Sequence, residues 1–152
     1  MKMDGRIRVK TDRRHRTLYN NLTKVAVDGS HELFFLCACL GYQKHQAKAL
    51  GKWGEDRFWS STVTPEEWCS YYAIVLEESE MDFGRIQDDG AVMSRIEEYA
   101  NGGMDILVDE CLKDFLTTSG DDLAVETAMA AELPKVLLQY VFEQGLPAGQ
   151  AE

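Results

Sequence analysis

The chain has 152 residues, 45% hydrophobic and 28% charged, with only three prolines, which is typical of one globular domain and excludes a disordered chain. No apolar run reaches the ~18 residues of a membrane span, and the basic start lacks the apolar stretch of a secretory signal, so we expect a cytoplasmic protein without membrane contact. The formal net charge is −10, yet residues 1–52 hold eleven lysines and arginines against four acidic residues. Any nucleic-acid contact is therefore expected near the N-terminus, because the acidic remainder repels phosphate.

The first half of the chain predicts a short strand followed by two helices. Charged and apolar residues alternate over residues 6–10, as in an edge strand or an extended arm. A helix is expected from about Asp12 to Lys24, and the apolar run at 33–40 predicts a buried second helix that Gly41 ends. Residues 42–63 lack a regular pattern, so we expect a loop or a small hairpin there.

The second half predicts further helices. Thr64 and Pro65 form a strong helix start, with Thr64 as the cap. Residues 119–122 are expected to open an alanine-rich helix, and Pro134 to begin or kink the last apolar segment.

Two apolar stripes lie on either side of the sequence Asn101-Gly102-Gly103. Asparagine and glycine are the residues that most easily take the left-handed conformation at a helix end. We therefore expect a helix to end at Asn101, Gly102 and Gly103, and the next helix, over 104–115, to pack against it as a hairpin.

These elements predict a mainly α protein. We expect a compact single-domain bundle of about five to six helices, with a short β-hairpin or an edge strand. Residues 1–144 would form the helical domain, including its basic N-terminal segment, and residues 145–152 a flexible C-terminal tail.

The sequence contains no motif that indicates a catalytic, cofactor or metal site. The stretch that ends at Gly51-Lys52 lacks both the first glycine and the hydroxyl of a phosphate-binding loop. Cys37 and Cys39 would project about 200° apart on a helix, so they are unsuited to one metal ion. We expect reduced, packed thiols, no cofactor and no enzyme. An enzyme whose site is assembled from scattered residues remains open, without positive evidence.

Two groups of residues are candidates for binding. The first is the set of basic residues near the N-terminus, which are candidate nucleic-acid contacts: Arg6, Arg8, Lys10, Arg13, Arg14 and Arg16. The second is an aromatic-rich stretch whose members are candidate partner contacts, since tryptophan dominates interface hot spots: Trp53, Phe58 and Trp59, with the adjoining Trp68.

Two sequence segments carry a resemblance to a known family. The segments Glu98-Tyr-Ala-Asn-Gly-Gly-Met-Asp-Ile-Leu107 and Phe35-Leu-Cys-Ala-Cys-Leu-Gly-Tyr42 resemble the small accessory proteins associated with Dnd systems of bacterial DNA phosphorothioation and restriction. The resemblance covers roughly residues 30 to 116. It implies a role beside DNA modification and antiviral defence machinery, and it brings no catalytic residues.

The sequence therefore predicts a non-enzymatic accessory or regulatory protein. Its expected partners are protein subunits of a DNA modification or restriction system. The alternative is direct DNA binding through the basic N-terminal segment. The sequence leaves open the oligomeric state and whether the protein activates or restrains the system.

Overall fold

The computed structural model describes residues 3–146. The predicted tail lies outside this range except for Gly145 and Leu146. Residues 3–146 contain five α-helices: α1 (Arg16–Val25), α2 (Ser30–Gln43), α3 (Pro65–Glu78), α4 (Asp89–Leu107) and α5 (Leu133–Gln144). They also contain two antiparallel pairs of short strands, so the prediction of a mainly α single domain is confirmed.

The first pair joins β1 (Arg8–Asp12) to β2 (Gly54–Trp59). The alternation of charged and apolar residues thus predicts a strand correctly, but the predicted range of 6–10 begins two residues before β1. Residues 42–63 supply β2, which pairs with the distant β1 and not with a neighbour in a local hairpin. We call this pair the ribbon.

The second pair joins β3 (Leu116–Ser119) to β4 (Asp122–Val125). The prediction that Ser119–Asp122 opens a helix is wrong. Gly120 has a φ of +64°, which suits the tight turn between two strands and would strain any residue with a side chain. The hairpin packs on α1, where Asn21 accepts a hydrogen bond from the Val125 N–H.

The centre of the protein is the packing of α2 against α4. Both helices carry mostly buried apolar residues, and α3 adds Trp68 and Tyr71 to the same core. The predicted start of α3 is confirmed, because Thr64 and Glu67 form a reciprocal capping box with Pro65 in the first turn.

The predicted helix end at Asn101, Gly102 and Gly103 is wrong, because α4 continues through all three residues to Leu107. Gly103 serves the crossing of α2 and α4, and Gly102 faces the segment that follows α2. A Cβ at Gly103 would lie 1.7 Å from the carbonyl oxygen of Cys37, and one at Gly102 would lie 2.0 Å from that of Gln46. The glycines are therefore explained by a close approach of backbones, and the predicted helical hairpin does not form.

Gly41 takes part in the same crossing from the other side. The sequence predicted that Gly41 ends α2, but the helix continues to Gln43. A Cβ at Gly41 would lie 2.0 Å from the carbonyl oxygen of Tyr99. Small residues on both helices thus bring the two backbones together, and both segments of the family resemblance lie at this crossing.

Candidate functional site

Successive side chains of the ribbon point to opposite faces, one toward the body of the protein and one toward solvent. Val9 and Thr11 of β1 are buried against the body of the protein. Arg8 and Lys10 are exposed, and their partners across the ribbon, Trp59 and Asp56, are exposed as well. We call the exposed surface the ribbon face; it comprises Arg8, Lys10, Asp56 and Trp59, with Arg13, Lys52 and Trp53 at one end.

A tryptophan lies at each end of the ribbon face. Trp53 keeps 52% of its surface exposed and Trp59 keeps 46%. The Arg8 guanidinium carbon lies 4.2 Å from the centre of the Trp59 ring, and that of Arg13 lies 5.8 Å from the Trp53 ring. Cations at these distances are attracted to the indole faces, so both large side chains are held in place while still exposed.

The other two aromatic residues of the predicted contact set lie inward. Phe58 is partly buried and packs edge-to-face on Phe34, with 5.4 Å between the ring centres. Trp68 is only 1% exposed and belongs to the core. Of the predicted partner contacts, the structure therefore brings Trp53 and Trp59 to the surface and uses Phe58 to attach β2 to α2.

The six predicted nucleic-acid contacts divide into two groups. All six are exposed, and Arg8 lies 3.4 Å from Asp56. Two of them, Arg14 and Arg16, each direct two guanidinium nitrogens to one carboxylate of the protein itself. The structure thus does not bring all six together as one free basic surface.

The sequence did not predict a polar cluster around Asp105. Arg14 Nη1 and Nη2 lie 2.5 and 2.8 Å from the two oxygens of Asp105. His15 Nε2 and Lys48 Nζ lie 3.2 and 3.3 Å from the same carboxylate. Asn101 accepts a hydrogen bond from Arg14 and donates one to the Lys48 carbonyl oxygen. Partial burial alone would raise the pKa of Asp105, but hydrogen bonds from His15 and Arg14 hold it well below its usual range.

A second polar group lies at the same, C-terminal end of β1, beside Thr11. Glu55 receives a bidentate contact from Arg16 and a hydrogen bond from Arg57, whose side chain also donates to Thr11. Hydrogen bonding from Arg16 is the main cause that lowers the pKa of Glu55 to about 2. Together with the Asp105 cluster, these contacts join the ribbon to α1 and α4 at the end where Trp53 lies.

The Asp105 cluster contains a histidine beside a carboxylate, as many acid–base sites do, but its geometry is that of an internal ion-pair network. The His15 side chain is buried, and three cationic or hydrogen-bonding groups already share the Asp105 oxygens. The residues involved lie up to 91 positions apart in the sequence. No local sequence pattern indicated this cluster.

The thiols and carboxylates of the described residues form no other site. In residues 3–146, no group of three or more histidine, cysteine or acidic side chains is placed to hold a metal ion. Burial raises the pKa of Cys39 to about 12 and that of Cys111 to about 11, so both thiols are protonated at neutral pH. Cys69 is exposed, contrary to the expectation of a packed thiol.

No helix within the described range has both the length and the apolar character required to cross a bilayer. Comparison of the chain with protein-family models, with curated proteins and with solved structures found no match.

Proposed function

We propose that the protein is a non-enzymatic accessory subunit that binds a protein of a DNA modification or antiviral defence system through the ribbon face. The observation that carries this proposal is the pair of exposed tryptophans, Trp53 and Trp59, each beside an arginine at an end of the ribbon. The link to DNA modification rests on the resemblance of the segments at 35–42 and 98–107 to Dnd-associated accessory proteins.

The composition of the ribbon face favours a protein partner. Tryptophan and arginine are enriched among the residues that dominate the binding energy of protein interfaces. The indoles offer large apolar areas, and their neighbouring arginines limit the side-chain motion that binding would otherwise have to stop. Lys10, Lys52 and Arg13 surround them with positive charge, so the partner surface is expected to be acidic at its rim and apolar at its centre.

The bracing of the ribbon supports the same function. Contacts from Arg14 to Asp105 and from Arg16 to Glu55 hold the C-terminal end of β1 and the adjoining part of β2 against helical elements. A surface held in its binding conformation loses less conformational entropy on association. Two of the basic residues near the N-terminus therefore have a supporting role in this proposal, and they act without touching the partner.

The test is a binding titration with purified subunits of a DNA phosphorothioation system from the same source. A variant with both Trp53→Ala and Trp59→Ala is expected to keep its helical circular dichroism and to bind the partner at least ~30-fold more weakly, the effect of losing one hot spot of ~2 kcal/mol. Phe83→Ala is the matched control, because Phe83 is 59% exposed and lies outside the ribbon. Equal binding of the double variant and the control would contradict the proposal, as would the absence of binding to every subunit.

The alternative, direct DNA binding, has a separate readout. Exposed cations beside exposed indoles also suit stacking on nucleic-acid bases. Fluorescence anisotropy with labelled single-stranded and duplex DNA, with and without phosphorothioate, should give a dissociation constant no tighter than ~10⁻⁶ M at physiological salt. Tighter binding that is lost on changing Arg8 and Arg13 to alanine would replace the protein partner with DNA.

A further inference from the structure

Helix α5 has an apolar stripe on each of two faces. Leu133, Leu137, Tyr140 and Val141 form the inner stripe, which packs on the core. On the outer side, Leu138 is 56% exposed and Phe142 is 84% exposed. These two residues are four apart and therefore adjacent on the helix surface.

The outer side is a groove as well as a stripe. Leu138, Val141, Phe142 and Leu146, with Lys135 and Gln139, line a depression of about 760 Å³. A contiguous apolar surface with polar residues at its edge is a common feature of sites where proteins bind one another. The arrangement of the polar residues identifies the partner.

We propose that this face of α5 binds the same face of a second copy of the chain, with the two helices antiparallel about a twofold axis at Gln139. Lys135 and Glu143 each lie four residues from Gln139, on opposite sides of it. In an antiparallel pair, Lys135 of one copy is level with Glu143 of the other, about 6 Å from the axis at 1.5 Å per residue. The twofold axis produces this contact of opposite charges twice.

Other features of the face fit the same symmetry. The Gln139 carboxamide has N–H donors and a carbonyl acceptor, so each of two such groups related by a twofold axis can donate a hydrogen bond to the other. Phe142 of each copy lies level with the first half of the other helix, beside Leu138 of that copy. Antiparallel packing also places the opposite ends of the two helix dipoles together. A single pair of 12-residue helices buries a small interface, so the dimer is expected to be weak and concentration-dependent.

The experiment is sedimentation equilibrium on the full chain over a range of concentrations. The protein is expected to pass from monomer to dimer in the micromolar range. Phe142→Glu should be monomeric throughout, with unchanged circular dichroism because the side chain makes little contact with its own chain. Phe83→Glu, which places the same charge at an exposed phenylalanine outside α5, should dimerise like the unmodified chain.

A charge exchange tests the antiparallel geometry. Lys135→Glu is expected to weaken the dimer by about tenfold or more, since it places like charges opposite each other. Combining Lys135→Glu with Glu143→Lys should restore dimerisation. Failure of the double variant to recover overturns the antiparallel pairing. A chain that stays monomeric at every concentration overturns the proposal and leaves this face to residues 147–152 or to a different protein. Neither result bears on the ribbon face, which is tested with a different ligand and different variants.

Discussion

Replacement of Gly103 by alanine tests whether this glycine of α4 serves the helix crossing. The new methyl group would lie 1.7 Å from the Cys37 carbonyl oxygen and 2.9 Å from the Gly41 nitrogen. A carbon and a carbonyl oxygen in contact normally lie at least ~3.3 Å apart. The backbones of α2 and α4 must therefore separate by roughly 1.5 Å, because neither contacting atom belongs to a side chain that can rotate away.

The cost is estimated from what this separation disturbs. Extra methyl groups in a packed core typically cost about 1 to 3 kcal/mol when side chains can adjust. Here two backbones in the buried core must move, so we expect a loss of about 3 kcal/mol or more. Helix propensity alone has the opposite sign, since alanine in place of a helical glycine gains about 1 kcal/mol. The sign of the change thus separates the two effects.

The assay is urea unfolding followed by circular dichroism, together with the melting temperature. A loss of 3 kcal/mol corresponds to a fall of roughly 6 to 12 °C at this chain length. Gly90→Ala in the first turn of the same helix is the control, because its methyl would meet only the Asp88 side chain, at 3.2 Å. Gly103→Asn should be at least as damaging as Gly103→Ala, although asparagine suits a left-handed helix end. An unchanged melting temperature in Gly103→Ala, or in Gly103→Asn, would refute the role of Gly103 in the crossing of α2 and α4.

Three further predictions concern charge and capping. Asp105→Asn should destabilise the protein by about 1 to 3 kcal/mol, because it removes one of the two carboxylates that pair with Arg14 and leaves only Asp12. Because the folded pKa of Asp105 is lowered, this difference should be present above about pH 4 and should shrink as the pH falls below it. Burial raises the pKa of Glu97 to about 7, so its ionisation opposes folding and stability should fall as the pH rises from about 4 to 7. Glu97→Gln should weaken that fall; if the melting temperature of the variant fell with pH as steeply as that of the unmodified chain, the prediction would be wrong. Thr64→Ala removes the cap that accepts from the Glu67 N–H and should cost about 1 kcal/mol in urea unfolding; no loss would show that the capping box is dispensable.

Two kinds of sequence signal were sufficient to predict local structure. The capping residues Thr64 and Pro65 mark the start of α3, since the groups that satisfy its first N–H bonds are adjacent in the chain. The alternation over residues 6–10 indicates a strand, because one face of that strand is buried. Ser119 to Asp122 was misread as a helix start, since the residues that cap helices also form tight turns and only the pairing of β3 with β4 distinguishes them.

The candidate site depended on contacts between distant parts of the chain. Composition and position indicated that Trp53 and Trp59 are binding candidates, but not that Phe58 packs inward on Phe34. The role of Arg14 depends on a carboxylate 91 residues away, which no local pattern reveals.

The sequence by itself determined the helical class of the protein, the start of α3 and the concentration of basic residues near the N-terminus, because periodicity, capping and charge act between near neighbours. Only the tertiary structure decided what Gly102 and Gly103 do. Glycine suits both a left-handed helix end and a close backbone contact, and the choice depends on whether another helix lies against it. In this protein, α2 and the segment after it lie against α4. Gly102 and Gly103, which predicted an interruption of α4, instead leave room for the backbone of α4 to approach these neighbours closely.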